Sequence, residues 1–249
     1  MTNLNKIGIP TDTSDEEPLR DYSLISGNVE VVFRGLEERL IREIQASDIV
    51  VGCVAWLTNK NILRALAQVN CCVVVQKEDF LRPDGGGKTE LQKLYDQLRS
   101  GADRWEFWPP LGGMTTNGDP TVEGVRCVGN HNRDKNPAFP RAHHKFVVFG
   151  KKLKGARPDE FSTFKECVEV RHEDVLAGCQ LDEDFLFDRV WTGSFNFTQN
   201  AGNSFENALI VNDARVARAY LGEFAQVASL SEPLNWDDEW CIPEWRLGT

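Results

Sequence analysis

Residues 48–56, Asp-Ile-Val-Val-Gly-Cys-Val-Ala-Trp, form a near-continuous apolar run, and residues 71–75, Cys-Cys-Val-Val-Val, form a second. Such runs fit strands buried on both faces, because a half-exposed strand alternates polar and apolar residues. Between them, residues 59–68 carry Ile62, Leu63 and Leu66 at helical spacing, which predicts a helix with one inward stripe. Strand, helix and strand in that order, with two sheet faces to cover, restrict the chain to an α/β sandwich: a central sheet flanked by helices.

The rest of the chain extends this pattern. Residues 29–33 read as a first strand, followed by a helix with Leu36, Leu40, Ile41 and Ile44 inward and Glu37, Glu38, Arg39 and Arg42 outward. Residues 103–108 are expected as a strand stopped by Pro109-Pro110, residues 111–140 as an exposed loop rich in Gly, Pro and Asn, and residues 206–211 as a late strand. A helix over 213–228 presents Val216, Tyr220 and Phe224 inward. The glycine-rich stretch 82–89 is not a phosphate-binding P-loop, since Arg82 stands where the first glycine is required; it reads as a loop before a helix whose inward face is Leu91, Leu94, Tyr95 and Leu98. Three regions follow: a polar arm over 1–25, a body over 26–230 with an acidic insertion at about 151–188, and a Trp-rich acidic tail over 231–249.

Two segments of the body carry polar groups where an apolar strand has no use for them. In Arg141-Ala142-His143-His144-Lys145-Phe146-Val147-Val148-Phe149, strand alternation places His143 and Lys145 on one face with Val147, and His144, Phe146 and Val148 on the other. In Val190-Trp191-Thr192-Gly193-Ser194-Phe195-Asn196-Phe197-Thr198 it sets Ser194 and Asn196 against Phe195 and Phe197, whose rings anchor a core. An imidazole, an ammonium, a hydroxyl and a carboxamide converging on one point suit a phosphate ester.

His143-x-Lys145 followed by Gly193-Ser194-x-Asn196, with Glu206 in Asn203-Ser204-Phe205-Glu206, resembles the signature of the phospholipase D superfamily, most closely its single-motif nuclease branch. The likeness spans roughly residues 28–228. It departs from the family pattern at Gly150, where the family usually has Asp, and in the long separation of its two halves by residues 151–189.

The resemblance implies a phospholipase D-like sandwich with a mixed central sheet. It also implies a second imidazole supplied by a symmetry-related subunit, because this chain has one His-x-Lys; the expectation is a homodimer with a composite site. In the resulting scheme one His143 attacks phosphorus to give a phosphohistidine, and His143 of the partner subunit is the general acid and then the base. Lys145 and Asn196 stabilise the nonbridging oxygens, Ser194 adds a hydrogen bond, and Glu206 holds an imidazole in its productive tautomer. Neither a metal nor a cofactor is required.

The net charge of −10 is unevenly spread. Residues 126–157 hold nine bases and one acid, a local +8, around the histidine segment, whereas residues 158–188 hold ten acids and two bases. Basic groups beside the site favour a nucleic acid, DNA or RNA, as partner. Arg133, Arg141, Lys151 and Lys152 are the expected phosphate contacts, with Phe107, Trp108 and Phe139 as stacking surfaces.

A lipid phosphodiesterase, and a binding component whose weak hydrolysis depends on a partner, are the competing readings. The first lacks an amphipathic membrane helix or lipid anchor, so no membrane association is expected. The acidic insertion reads as a solvated segment, or as a flap over the basic groove. The Trp-rich tail reads as a docking segment for the body or a protein partner.

No apolar run reaches the roughly 20 residues a spanning helix needs, and the N-terminus opens no signal peptide; the expectation is a cytoplasmic protein. The seven cysteines are expected as reduced thiols. Cys127, His131, Cys167, His172 and Cys179 are the alternative zinc donors, at spacings that match no common finger.

Overall fold

The computed structural model describes residues 3–10, 16–78, 81, 90–98, 104–107, 114–117, 124–131, 134, 140–152, 180–181 and 185–234. The apolar runs form β5 (Ile49–Val54) and β6 (Asn70–Gln76), paired in parallel, with every residue of β5 buried. Among the described residues they lie in an eight-stranded mixed sheet with β3 (Leu24–Ser26), β4 (Val29–Val32), β9 (Val125–Val128), β10 (Lys145–Lys152), β12 (Phe185–Gly193) and β13 (Ala208–Asn212). The strand order is β3-β4-β13-β12-β10-β5-β6-β9.

Each face of the sheet has its own core. On one, Val50, Val54, Val73, Val147, Trp191 and Ile210 pack against α1 (Leu36–Gln45), α2 (Lys60–Leu66) and α3 (Glu90–Tyr95). On the other, Val51, Cys53, Val74, Phe146, Val148 and Val190 pack against α4 (Ala214–Ser229) through Ala217, Leu221 and Phe224. Alternate residues of one strand thus reach opposite cores, which is why β5, β6 and β10 read as continuous apolar runs. Asn59 and Asp213 cap α2 and α4 by accepting backbone N–H bonds in the first turn.

Several expectations shift. The region 111–140 is not loop throughout: Met114–Asn117 is a strand, and Val125–Val128 is buried and parallel to β6. Four residues inside a Gly- and Asn-rich stretch carry too little pattern to reveal a strand. The polar arm also enters the body, since Leu24–Ser26 pairs with β4 through a tight turn in which Gly27 has φ of 59°. Asn5 donates its side-chain amide to the carbonyls of Gly202 and Ser204.

Arg39, expected to face solvent, reaches Glu30 on β4 and Glu43 on its own helix. The predicted strand over 103–108 is β7 (Arg104–Phe107), which pairs with β8 (Met114–Asn117) and β11 (Gln180–Leu181) outside the main sheet, and β1 (Gly8–Pro10) pairs with β2 (Glu16–Pro18). The acidic insertion lies mostly, and residues 235–249 wholly, outside the described residues.

Candidate active site

Strand direction collects the polar residues at one end of the sheet. β10 runs antiparallel to β5 with Lys145 opposite Val54, so the start of β10 meets the carboxyl end of β5. On its other side β10 meets the end of β12, through Phe146 opposite Thr192, and the end of β12 in turn meets the start of β13, through Gly193 opposite Ala208. Three strand ends thereby bring His143, Lys145, Ser194 and Glu206 to the same rim.

His143 and His144 precede the strand, which begins at Lys145. The predicted alternation nevertheless holds. The Lys145 ammonium lies 3.2 Å from both ring nitrogens of His143 and donates to the His143 carbonyl at 3.1 Å. His144 turns the other way, packs on Phe146 with ring centroids 5.5 Å apart, and faces Glu223 of α4 at 3.2 Å.

Burial, then Lys145, Arg141 and His144, hold the His143 imidazole below its ordinary pKa. Burial lowers Lys145 as well, against the opposing field of Glu206. The neutral ring that results near pH 7 has the lone pair a nucleophile needs.

The Gly-Ser-x-Asn segment follows the end of β12. Phe195 and Phe197 are fully buried, and Phe195 packs on both Phe197 and Trp191. This fixes a backbone from which Ser194 is exposed and Asn196 half-buried. Gly193 has no room for a side chain: a Cβ there would meet the Asn207 carbonyl at 2.3 Å. The Ser194 hydroxyl donates to Glu206 and accepts the Asn207 N–H at 3.1 Å. Its proton is therefore committed to Glu206, an arrangement the sequence spacing did not reveal. The Asn196 side-chain oxygen is buried and accepts no hydrogen bond among the described residues.

The expected phosphate contacts separate. Arg141 sits at the rim, its guanidinium 5.8 Å from the centre of the Trp56 ring. Lys151 and Lys152 lie near the far end of β10; Lys151 is six residues from Lys145, about 20 Å along a strand. Only a substrate longer than one nucleotide can touch both. Arg133, Trp108 and Phe139 lie outside the described residues, as does the side chain of Phe107.

Two aromatic residues of the described site were not anticipated. Trp56 meets His143 edge-on with ring centroids 5.4 Å apart, and Phe205, next to Glu206, is 55% exposed beneath Arg34. The signal available for Trp56 was its place just beyond a buried strand's carboxyl end, where open α/β sheets hold ligands.

Gly150 explains the departure at the position where Asp was expected. It lies at an irregularity in the β10–β12 register, and a Cβ there would come within 2.7 Å of Ile49 and 2.9 Å of the Phe187 ring. The local packing excludes a carboxylate. Among the described residues no group of three or more His, Cys, Asp and Glu side chains is placed to hold a metal. Of the zinc candidates, Cys127 is buried with its thiol directed at the Pro233 carbonyl, and His131 is buried; Cys167, His172 and Cys179 lie outside the described residues. No described helix is long and apolar enough to cross a membrane.

No protein-family model matches the chain. Uncharacterized protein L381 of Acanthamoeba polyphaga mimivirus is 28% identical over 237 residues, which cover 86% of this chain and 70% of that protein. Among solved structures the chain is similar to Nuc, a phospholipase D family member from Salmonella typhimurium, at 14% identity and a TM-score of 0.42 over 82% of this chain and 95% of that one. It is also similar to NucT from Helicobacter pylori, at 11% identity and a TM-score of 0.45 over 82% and 96%. These superpositions are loose, and nothing about activity follows from them; the mixed α/β architecture stands on the sheet itself.

Proposed function

We propose that the chain is a phosphodiesterase that cleaves nucleic acid through a covalent histidine intermediate. One observation carries the reading: the imidazole of His143 is held below its ordinary pKa with the Lys145 ammonium 3.2 Å from the ring. A neutral nucleophile beside a cation matches attack on an anionic phosphorus centre, where charge grows on the nonbridging oxygens.

In the proposed reaction a ring nitrogen of His143 attacks phosphorus, the bond from phosphorus to the leaving oxygen breaks, and that oxygen takes a proton from His143 of the partner subunit. The partner's His143 then removes a proton from water. The hydroxide attacks phosphorus, the phosphorus–nitrogen bond breaks, and the first imidazole is released. Lys145 and Asn196 stabilise the nonbridging oxygens.

In this scheme Ser194, whose hydroxyl donates to Glu206, orients that carboxylate, and Glu206 acts on Lys145 and holds an imidazole in its productive tautomer. The scheme needs a homodimer and no metal.

The test compares wild type with His143→Ala on single- and double-stranded oligonucleotides and on phospholipid vesicles, with and without a chelator, and measures mass by sedimentation. Nucleic-acid cleavage lost in the variant and untouched by chelator supports the reading. Cleavage of lipid alone, activity restored only by a divalent ion, or a fully active monomer overturns it.

A further inference from the structure

The backbone around His143 is fixed on both sides by the neighbouring parallel strands. Ala142 donates its N–H to the side-chain oxygen of Gln76 at 2.7 Å, and Ala55 donates to the His144 carbonyl at 2.8 Å. Gln76 is itself buried and held by bonds to the carbonyls of Lys77 and Asn130. These bonds fix where the chain runs. They leave the side-chain torsions of His143 unrestrained.

Among the described residues two groups touch the ring. Lys145 is one, and a long flexible side chain is a poor restraint on an imidazole's tilt. The other is Trp56, whose ring meets His143 at an interplanar angle of 81° with centroids 5.4 Å apart, an edge-to-face contact. The indole is itself locked, because its N–H donates to Glu78 at 3.0 Å. The same indole lies under the Arg141 guanidinium, 5.8 Å from the ring centre. One rigid side chain therefore contacts both the proposed nucleophile and the arginine beside it, and a third residue fixes its orientation.

We propose that Trp56, locked by Glu78, is a positioning residue that holds the His143 ring and the Arg141 guanidinium at a set separation, so that both address one phosphate. This rests on the phosphodiesterase reading for its purpose, though the restraint itself is a property of the fold. The charged groups around His143 are Lys145, Arg141 and His144, with Glu206 acting on Lys145 and Glu78 tied to the indole. Trp56 is the uncharged group in ring contact with His143, and burial is the leading cause of its lowered pKa. Removing the indole thus acts on ring environment and orientation together.

The experiment uses the full chain as wild type, Trp56→Ala, Trp56→Phe, Glu78→Ala and Glu78→Gln. Each is followed by proton NMR titration of the His143 ring, assigned by loss of its signal in His143→Ala, and by the pH profile of kcat and KM on bis(p-nitrophenyl) phosphate. In Trp56→Ala the His143 titration moves upward towards the ordinary imidazole value, kcat falls on the order of 10-fold to 10²-fold, and KM rises as Arg141 loses its support. Trp56→Phe keeps part of the edge contact and falls between. Glu78→Gln, which retains an acceptor, behaves as wild type, whereas Glu78→Ala moves with Trp56→Ala.

An unchanged titration and kcat in Trp56→Ala overturns the proposal. Should that variant fail to fold, an unchanged titration in both Trp56→Phe and Glu78→Ala overturns it equally. A wild-type protein without turnover sinks the phosphodiesterase reading, but the titration still decides whether Trp56 controls the ring.

Discussion

At the end of the sheet away from His143, Arg39 of α1 donates two hydrogen bonds to Glu30 of β4, at 2.8 and 2.6 Å, and a third to Glu43. Glu43 also takes Arg189 of β12 at 2.6 Å. The cations are thus caged by carboxylates; hydrogen bonding to Glu30 raises Arg39 further above its ordinary pKa, and the same contact lowers Glu30. At the rim around His143 the balance is reversed. Lys145 directs its ammonium at an imidazole and a carbonyl, and both Lys145 and His143 are shifted towards their neutral forms. A structural cluster of charges is neutralised within the chain, whereas the rim sets a partly desolvated ammonium beside an imidazole, the arrangement on which the proposed function draws.

Substitutions at the two ends should separate function from stability. His143→Ala should lower turnover by about 10⁴-fold, the loss typical of a removed nucleophile, with no change in the urea midpoint. Glu43→Ala should do the converse. Two guanidinium groups lose a buried partner, stability falls by about 3 kcal/mol, and turnover per folded molecule stays near wild type, as paired denaturation and kinetic measurements would show. Equal losses of stability in the two variants would erase the contrast.

Gly150→Asp sharpens it further. The carboxylate expected from resemblance would strike Ile49 and Phe187, so the variant should lose about 2 kcal/mol in chemical denaturation and gain no turnover. Ser194→Ala, which frees the Glu206 carboxylate, should lower kcat about 10-fold, equivalent to about 1.4 kcal/mol.

The smallest effect is in pH. The folded pKa of His143 lies below the ordinary value, so between the two values the unfolded chain binds more protons and stability falls as the pH drops. The neutral nucleophile is lost only as the pH falls on through the lower, folded value. The acid limb of kcat/KM should lie below the usual imidazole value of about 6.5, and His143→Ala should flatten the acid-side loss of stability measured by thermal unfolding.

The layers were legible wherever one strand had to supply two cores. Val50, Val51, Val73 and Val74 announce burial on both faces; of the expected helical stripe Phe224 is fully buried, while Val216 and Tyr220 are partly buried and the neighbouring Ala217 and Leu221 take the inner positions. The pairing of His143 with Lys145 and the burial of Phe195 and Phe197 followed from period-two alternation. Contacts that join distant segments were not legible, because no local periodicity encodes them. β9 is four residues long, and its Arg126 is buried by bonds to Ser231, 105 residues away. Ser194 and Glu206 were both singled out, but their mutual bond changes what each can offer a substrate. Trp56 was read as the end of an apolar run, and its partners come from two other segments, Glu78 from one and Arg141 and His143 from the other.

The outer edge of β9 is closed by a short bridge, in which Cys127 and Glu232 exchange backbone hydrogen bonds at 2.9 and 2.8 Å, while the Glu232 carboxylate meets the fully enclosed Lys77. Any trimming of the polypeptide that removes residues from Ser231 onward therefore takes a carboxylate partner from an enclosed ammonium and unseals a strand margin at once. A recombinant version cut there should precipitate or pair with itself through that margin. One that retains Leu234 should keep the margin closed.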